Sequence, residues 1–136
     1  MPHLNRRTFL KGVVVAGASM LVTRSAIFAA TAPAHPDPRR GITGANVLHA
    51  DKLGGDKKLV ALFDDVRKIP QVMDGIRCNC GCPAPPELRS LLSCFEGKGM
   101  ARDCVICQGQ ARLAIRLHKE GKSLAQIRQA IDAKFA

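Results

Sequence analysis

Six cysteines crowded into residues 78–107 constrain the fold of this chain more than any other feature of its sequence. Three lie close together in a predicted loop (Cys78, Cys80 and Cys82), Cys94 stands alone, and Cys104 and Cys107 form a pair three residues apart. On a helix, Cys104 and Cys107 share a face because residues three apart are neighbours there. In the loop, Gly81 and Pro83 permit a tight turn that directs several sulfurs inward. The spacing therefore predicts one site rich in sulfur.

The hydrophobic pattern predicts an all-α fold, a compact bundle of about four helices with the cysteine-rich loop between the first and second. The predicted helices cover residues 56–69, 85–95, 101–120 and 123–136. Apolar residues recur in them at three- and four-residue steps, and no segment alternates like a strand. Pro70 ends the first helix, and Pro85 starts the second. Gly121 offers a left-handed cap to the third, and Ser123 with Gln126 forms a capping box for the fourth.

The N-terminal segment, residues 1–34, has the layout of a signal peptide. Its mainly apolar run at 12–23 is shorter than the roughly 20 residues that cross a bilayer, so we expect no permanent membrane span after cleavage. The pair Arg6 and Arg7, followed by Phe-Leu-Lys, resembles the twin-arginine export signal. That resemblance implies that the twin-arginine export machinery is a partner. It also implies folding in the cytoplasm before export, and a periplasmic location.

Small residues predict signal cleavage after Ala34 or, as an alternative, after Ala32. Residues 35–55 are rich in Pro, Gly and charge and predict a flexible arm. The cysteine-rich helical domain is then residues 56–136. A domain of this size buries only a small core and often needs disulfides or a metal for stability.

Charge and composition exclude several functions. The chain has 21 basic and 11 acidic residues, and the excess is six once the predicted signal is removed. The basic residues are interleaved with acids and there is no Trp or Tyr, so we predict a solvated surface and no nucleic-acid partner. No carboxylates are paired by spacing with a histidine, and no phosphate-binding glycine loop is present. We therefore expect no hydrolytic or group-transfer enzyme.

The cysteines favour a soft-metal site. Clustered thiolates select Cu(I), zinc or an iron–sulfur cluster because polarizable sulfur suits these ions. Four thiolates complete a tetrahedral zinc site, and six can hold more than one bridged Cu(I). We predict that Cys78, Cys80, Cys82, Cys94, Cys104 and Cys107 are the ligands, with Cu(I) favoured and zinc next. The expected role is metal storage, protection or handover to another exported metalloprotein.

Two alternatives stay open. In an oxidising compartment the six cysteines can form a disulfide framework, with 15 possible connectivities, that staples an interaction domain. Cysteines two apart, such as Cys78 and Cys80, bridge each other only with strain. The second alternative is a thiol–disulfide redox protein, because Cys104 and Cys107 have the spacing of a redox motif and a helix N-terminus lowers a thiol pKa.

Residues 66–136 resemble a small bacterial family named for a Pro-Cys-Tyr-Cys-Gly-Cys motif. The matching segments are 68–74, Cys78 to Cys82, Ser90 to Phe95, Cys104 to Cys107, Gly121 to Ser123, Ile127-Arg128 and Ile131-Asp132. Arg77 and Asn79 replace the Pro and Tyr of the motif, and every sulfur is retained. The resemblance implies an exported or lipid-anchored protein with this architecture, and no particular activity.

A shorter stretch, from Cys107 through Gly121-Lys122-Ser123 to Arg128, is similar to the thiol-reducing helical subunit of the cytochrome c maturation machinery. There, a Cys-x-x-Cys-Gln motif precedes helices that end in a similar Gly-Lys-Ser turn. Under the redox alternative, this likeness implies a thiol–disulfide redox protein, or a partner of one, of the cytochrome c maturation type.

Overall fold

A computed structural model of the chain describes residues 34–81 and 88–136. Four α-helices follow in chain order: α1 (Lys57–Lys68), α2 (Pro70–Asp74), α3 (Val105–Lys119) and α4 (Leu124–Phe135). Short 3-10 turns lie at Ala50–Lys52, Leu92–Phe95 and Met100–Arg102. Apart from a single bridge between Val47 and Glu96, these ranges contain no β-structure. The all-α prediction is confirmed. None of the described helices is long and apolar enough to span a bilayer.

Helix α1 begins and ends close to the predicted positions. Asp56 caps it by accepting hydrogen bonds from the backbone N–H groups of Lys58 and Leu59. Its apolar stripe is buried, and the ring of Phe63 packs at 4.7 Å, between ring centroids, from Phe95. Pro70 ends α1 and also starts the short α2, because a proline has no N–H to donate but is suited to a first helical position.

The predicted second helix is wrong over the part of it that is described, residues 88–95, where only the 3-10 turn Leu92–Phe95 forms. The backbone N–H groups that would donate within a helix donate here to a distant carbonyl and to a side chain. The N–H of Leu91 donates to the carbonyl of Ile76 at 2.7 Å, and the N–H of Ser93 donates to Ser90 Oγ. Serine side chains compete with helical hydrogen bonds in this way. The described residues between α2 and this turn, 75–81 and 88–91, therefore contain no helix.

Helix α3 begins four residues later than predicted, because Cys104 is its N-cap and the 3-10 turn Met100–Arg102 precedes it. Its C-terminus follows the prediction. Gly121 adopts φ 77° and the N–H of Lys122 donates to the carbonyl of Leu117, which is a Schellman cap. The predicted capping box that starts α4 is also confirmed.

The segment 35–55 contributes to the core, which a flexible arm would not do. Val47 and Leu53 are buried. Arg67 of α1 donates to the carbonyls of Val47 and Leu48 at 3.1 and 2.9 Å. The packed core therefore begins upstream of the predicted start near residue 56. Composition did not predict this packing, because the segment contributes two apolar side chains and backbone carbonyls to the contacts and has no periodic apolar stripe.

A fully buried carboxylate joins this segment to the helices. Asp74, at the end of α2, accepts hydrogen bonds from the backbone and side chain of Arg39, from Arg89 and from Ser90. Burial alone would raise the pKa of Asp74, but the hydrogen bonds from Arg39 and Ser90 lower it by more, to about 2. Asp74 is therefore ionised and ties three separate segments of the chain together.

Candidate metal centre

Three different structural elements bring the described cysteines together. Cys78 and Cys80 lie in the loop after α2, Cys94 lies in the 3-10 turn, and Cys104 and Cys107 form the first turn of α3. Cys94 and Cys107 are buried, and the others are partly exposed. Cys82 lies outside the described residues, so its predicted role stays a prediction.

The central contact joins the loop to α3. The sulfur of Cys78 lies 3.4 Å from the sulfur of Cys107. With Cys80 they form a group whose three sulfur atoms all lie within 4.8 Å of one another. Metal–sulfur bonds of about 2.3 Å place sulfurs about 3.8 Å apart around a tetrahedral ion. A metal ion can therefore be held, with small side-chain movements, by Cys78, Cys80 and Cys107, which we call the sulfur triad.

Two further described cysteines lie beside the sulfur triad. Cys94 is buried in the same core as Cys107, and its thiol donates to the carbonyl of Ser90 at 3.8 Å. The backbone N–H of Cys107 donates to the Cys104 sulfur at 3.5 Å. Of the six predicted ligand residues, this cysteine network thus brings three within 4.8 Å of one another, namely Cys78, Cys80 and Cys107.

The network supports one thiolate at its centre. Hydrogen bonds from Cys107 and then from Cys94 hold the pKa of Cys78 well below its usual range. The pKa of Cys107 is raised by its hydrogen bonds to Cys78 and Cys94 and by burial. For Cys94, the hydrogen bond with Cys107 lowers the pKa, but the bond to Cys78 and burial together raise it by more. A soft cation would bind the thiolate directly and would displace the protons of its thiol donors.

Gln110 is the residue at this site that the sequence did not reveal. It is fully buried on α3, one turn after Cys107. Its Nε2 donates to the Cys78 sulfur at 3.7 Å, and its Oε1 accepts from the N–H of Asn79 at 3.2 Å. Residues three apart share a face of a helix, so a glutamine three residues after Cys107 lies on the same face as that cysteine. This spacing is the sequence feature that could have identified Gln110.

The loop is also fixed from its other side. Asp132 of α4 accepts a hydrogen bond from Asn79 at 3.4 Å and pairs with His35 Nε2 at 2.9 Å. His35 Nδ1 in turn accepts from the N–H of Arg77 at 3.0 Å. Both nitrogens of His35 are therefore engaged in positioning the backbone beside Cys78. Such outer contacts orient ligand residues.

No disulfide lies within the described ranges, where every pair of cysteine sulfurs is beyond bonding distance. The sulfurs of Cys78 and Cys107, 3.4 Å apart, are also not the pair that the spacing of Cys104 and Cys107 suggested for redox chemistry. In α3 those two residues share the first turn, but Cys104 is the cap and Cys107 points into the core.

Replacing Gln110 with leucine should lower the free energy of unfolding by about 2 kcal/mol, because the partly buried N–H of Asn79 and the sulfur of Cys78 both lose a partner. Denaturant unfolding of the full chain measures this. The matched control is Gln129→Leu at an exposed position of α4, where we expect a change below about 0.5 kcal/mol. Equal effects at the two positions would contradict the role given to Gln110.

Comparison with known proteins gave no match: no protein-family model, no curated protein and no solved structure is similar to this chain. The resemblances suggested by the cysteine motifs therefore stay predictions. The function has to be argued from the sulfur site itself.

Proposed function

We propose that this chain is a soft-metal-binding protein whose sulfur triad holds Cu(I), with zinc as the next candidate, for storage, protection or handover. The observation that carries the proposal is the close approach of Cys78, Cys80 and Cys107, all within 4.8 Å. Among the described residues this group consists of three sulfurs, a donor set that selects soft ions. The predicted ligand Cys82 belongs to the proposal on sequence grounds alone.

The shape of the group favours Cu(I) over zinc. A structural zinc site is closed by four ligands at nearly equal distances. Cys94 is not a member of the group of sulfurs that all lie within 4.8 Å. A threefold sulfur set suits Cu(I), which favours low coordination numbers, and zinc would require a fourth ligand beyond these three.

The proposal includes export by the twin-arginine machinery to the periplasm, with handover to another exported metalloprotein. Its support for export is the signal-like sequence around Arg6 and Arg7, which lies outside the described residues. Handover is supported by the surface beside the site. Cys104 is partly exposed, and next to it Val105 is 79% exposed and Ile106 38% exposed. Exposed apolar side chains of this kind mark contact sites.

The test is metal content and thiol count, measured together on the full chain purified without oxygen. We expect stoichiometric copper, and thiols that react with an alkylating reagent only after a Cu(I) chelator is added. Metal binding that depends on deprotonated sulfur should also weaken at acid pH. A folded chain that stays metal-free when Cu(I) is supplied, with all six thiols reactive, would overturn the proposal.

Thiol–disulfide exchange is the second candidate, and the 3.4 Å separation of the Cys78 and Cys107 sulfurs favours it. In that reaction both thiols give up hydrogen and join as a disulfide, while a disulfide substrate takes up both hydrogens and becomes two thiols. Exchange with glutathione disulfide, followed by peptide mapping, tests it. A rate no faster than that of a free thiol would remove this candidate.

A further inference from the structure

We propose that Gln110 sets the metal selectivity of the sulfur triad, because its amide turns an N–H rather than an oxygen towards Cys78 and so supplies no fourth ligand from α3. The inference rests on the proposed function and adds the side chain that keeps this face of the site suited to Cu(I). It follows from two hydrogen bonds of Gln110 and from its burial.

The orientation of the Gln110 amide is fixed by its neighbours. Its Oε1 accepts a hydrogen bond from the backbone N–H of Asn79 at 3.2 Å. A backbone N–H can only donate, so the amide oxygen must face Asn79 and the amide nitrogen must face the Cys78 sulfur, 3.7 Å away. Gln110 is fully buried, so both of these atoms are shielded from water.

The amide nitrogen stands at the distance from Cys78 that a further ligand atom would have. Zinc–sulfur bonds of about 2.3 Å and zinc–oxygen bonds of about 2.0 Å put the two ligand atoms about 3.5 Å apart around a tetrahedral ion. The separation between Nε2 and the Cys78 sulfur is 3.7 Å. Gln110 also shares a face of α3 with Cys107, another member of the sulfur triad. The atom at this position is therefore within ligand reach of an ion bound to Cys78.

The chemistry of this atom excludes it as a ligand. The lone pair of an amide nitrogen is delocalised into the carbonyl group, and its two hydrogens can only be donated. It therefore stabilises a thiolate without binding a cation. A closed zinc site needs four ligands, whereas three sulfurs suit Cu(I). An oxygen in the place of Nε2 would offer zinc a fourth ligand, which Gln110 withholds.

The experiment compares the affinities for Cu(I) and for zinc, each measured on the full chain without oxygen against a chromogenic chelator. Gln110→Glu keeps an oxygen for the Asn79 N–H and puts a second oxygen where Nε2 stands. We expect it to raise the ratio of zinc affinity to Cu(I) affinity at least about 10-fold. Gln110→Leu offers neither donor nor ligand, and should lower the Cu(I) affinity about 10-fold without raising the ratio.

The matched control is Gln129→Glu, the same change of charge at an exposed position of α4, which should leave both affinities unchanged. Circular dichroism shows whether each variant is folded. If Gln110→Glu does not fold, Gln110→His takes its place with the same expected rise, because it offers a ligand nitrogen without a fixed negative charge. X-ray absorption of the copper-loaded unchanged chain needs no variant, and should show copper bonded to sulfur alone.

The outcomes separate the two proposals. An unchanged chain that binds neither ion overturns the proposed function, and the inference with it. Cu(I) binding by the unchanged chain, together with an unaltered affinity ratio in the folded Gln110→Glu variant, leaves the proposed function standing and overturns the role of Gln110. A nitrogen or oxygen bonded to copper in the unchanged chain also overturns that role.

Discussion

Replacement of Cys107 by serine should lower the affinity of the full chain for Cu(I) by at least about 100-fold. Changes in the groups that merely orient metal ligands already cost 10–100-fold, and here a ligand itself is lost. The loss is large because Cys107 belongs to the sulfur triad and its sulfur lies 3.4 Å from that of Cys78. Competition with a chromogenic Cu(I) chelator measures the change.

The matched control is Met100→Leu. It removes the thioether of a partly exposed side chain that is not part of the sulfur triad, so the affinity for Cu(I) should stay unchanged. Because Cys107 is fully buried, circular dichroism must show that the serine variant is folded, and Cys107→Ala provides a second test without a buried hydroxyl. Cu(I) affinity equal to that of the unchanged chain in a folded Cys107 variant would remove the sulfur triad as the site.

The second large effect is on stability. Asp74→Asn should lower the free energy of unfolding by about 3 kcal/mol, because it removes a buried carboxylate and leaves its partly exposed partners Arg39 and Arg89 without their counter-charge. A loss of this size is a large fraction of the stability of a small domain. Denaturant unfolding near neutral pH measures it. Asp65→Asn is the matched control, since Asp65 pairs at the surface with Lys68 and Lys119 and should cost less than about 1 kcal/mol.

The same carboxylate predicts a dependence on pH. The folded-state pKa of Asp74 is lowered from 3.8 to about 2, so its contribution to stability is complete above about pH 4 and is lost as the pH falls towards 2. The shift corresponds to about 2 kcal/mol. The difference in unfolding free energy between the unchanged chain and Asp74→Asn should therefore shrink by about this amount between pH 5 and pH 2. A constant difference across that range would show that Asp74 is not held ionised by its partners.

Local patterns predicted the helical elements well where their own side chains determine them. Apolar stripes, Pro70, Gly121 and the Ser123 capping box act within a few residues, so α1, α4 and the end of α3 lie where the sequence placed them. The pattern failed at residues 88–95, because the backbone of Leu91 pairs with Ile76 across the fold. The pattern also did not predict that Val47 is buried, because Val47 lies in the segment 35–55, which was predicted to be a flexible arm.

The helical class, the helix caps and the set of thiols from which a site can be built follow from the sequence alone, since periodicity and residue chemistry are properties of short stretches. Which sulfurs approach one another depends on tertiary packing. The approach of Cys78 to Cys107 and the hydrogen bond from the Asn79 N–H to Gln110 each join residues about 30 positions apart. Such contacts depend on how α3 packs beneath the cysteine loop, and no spacing along the chain specifies that.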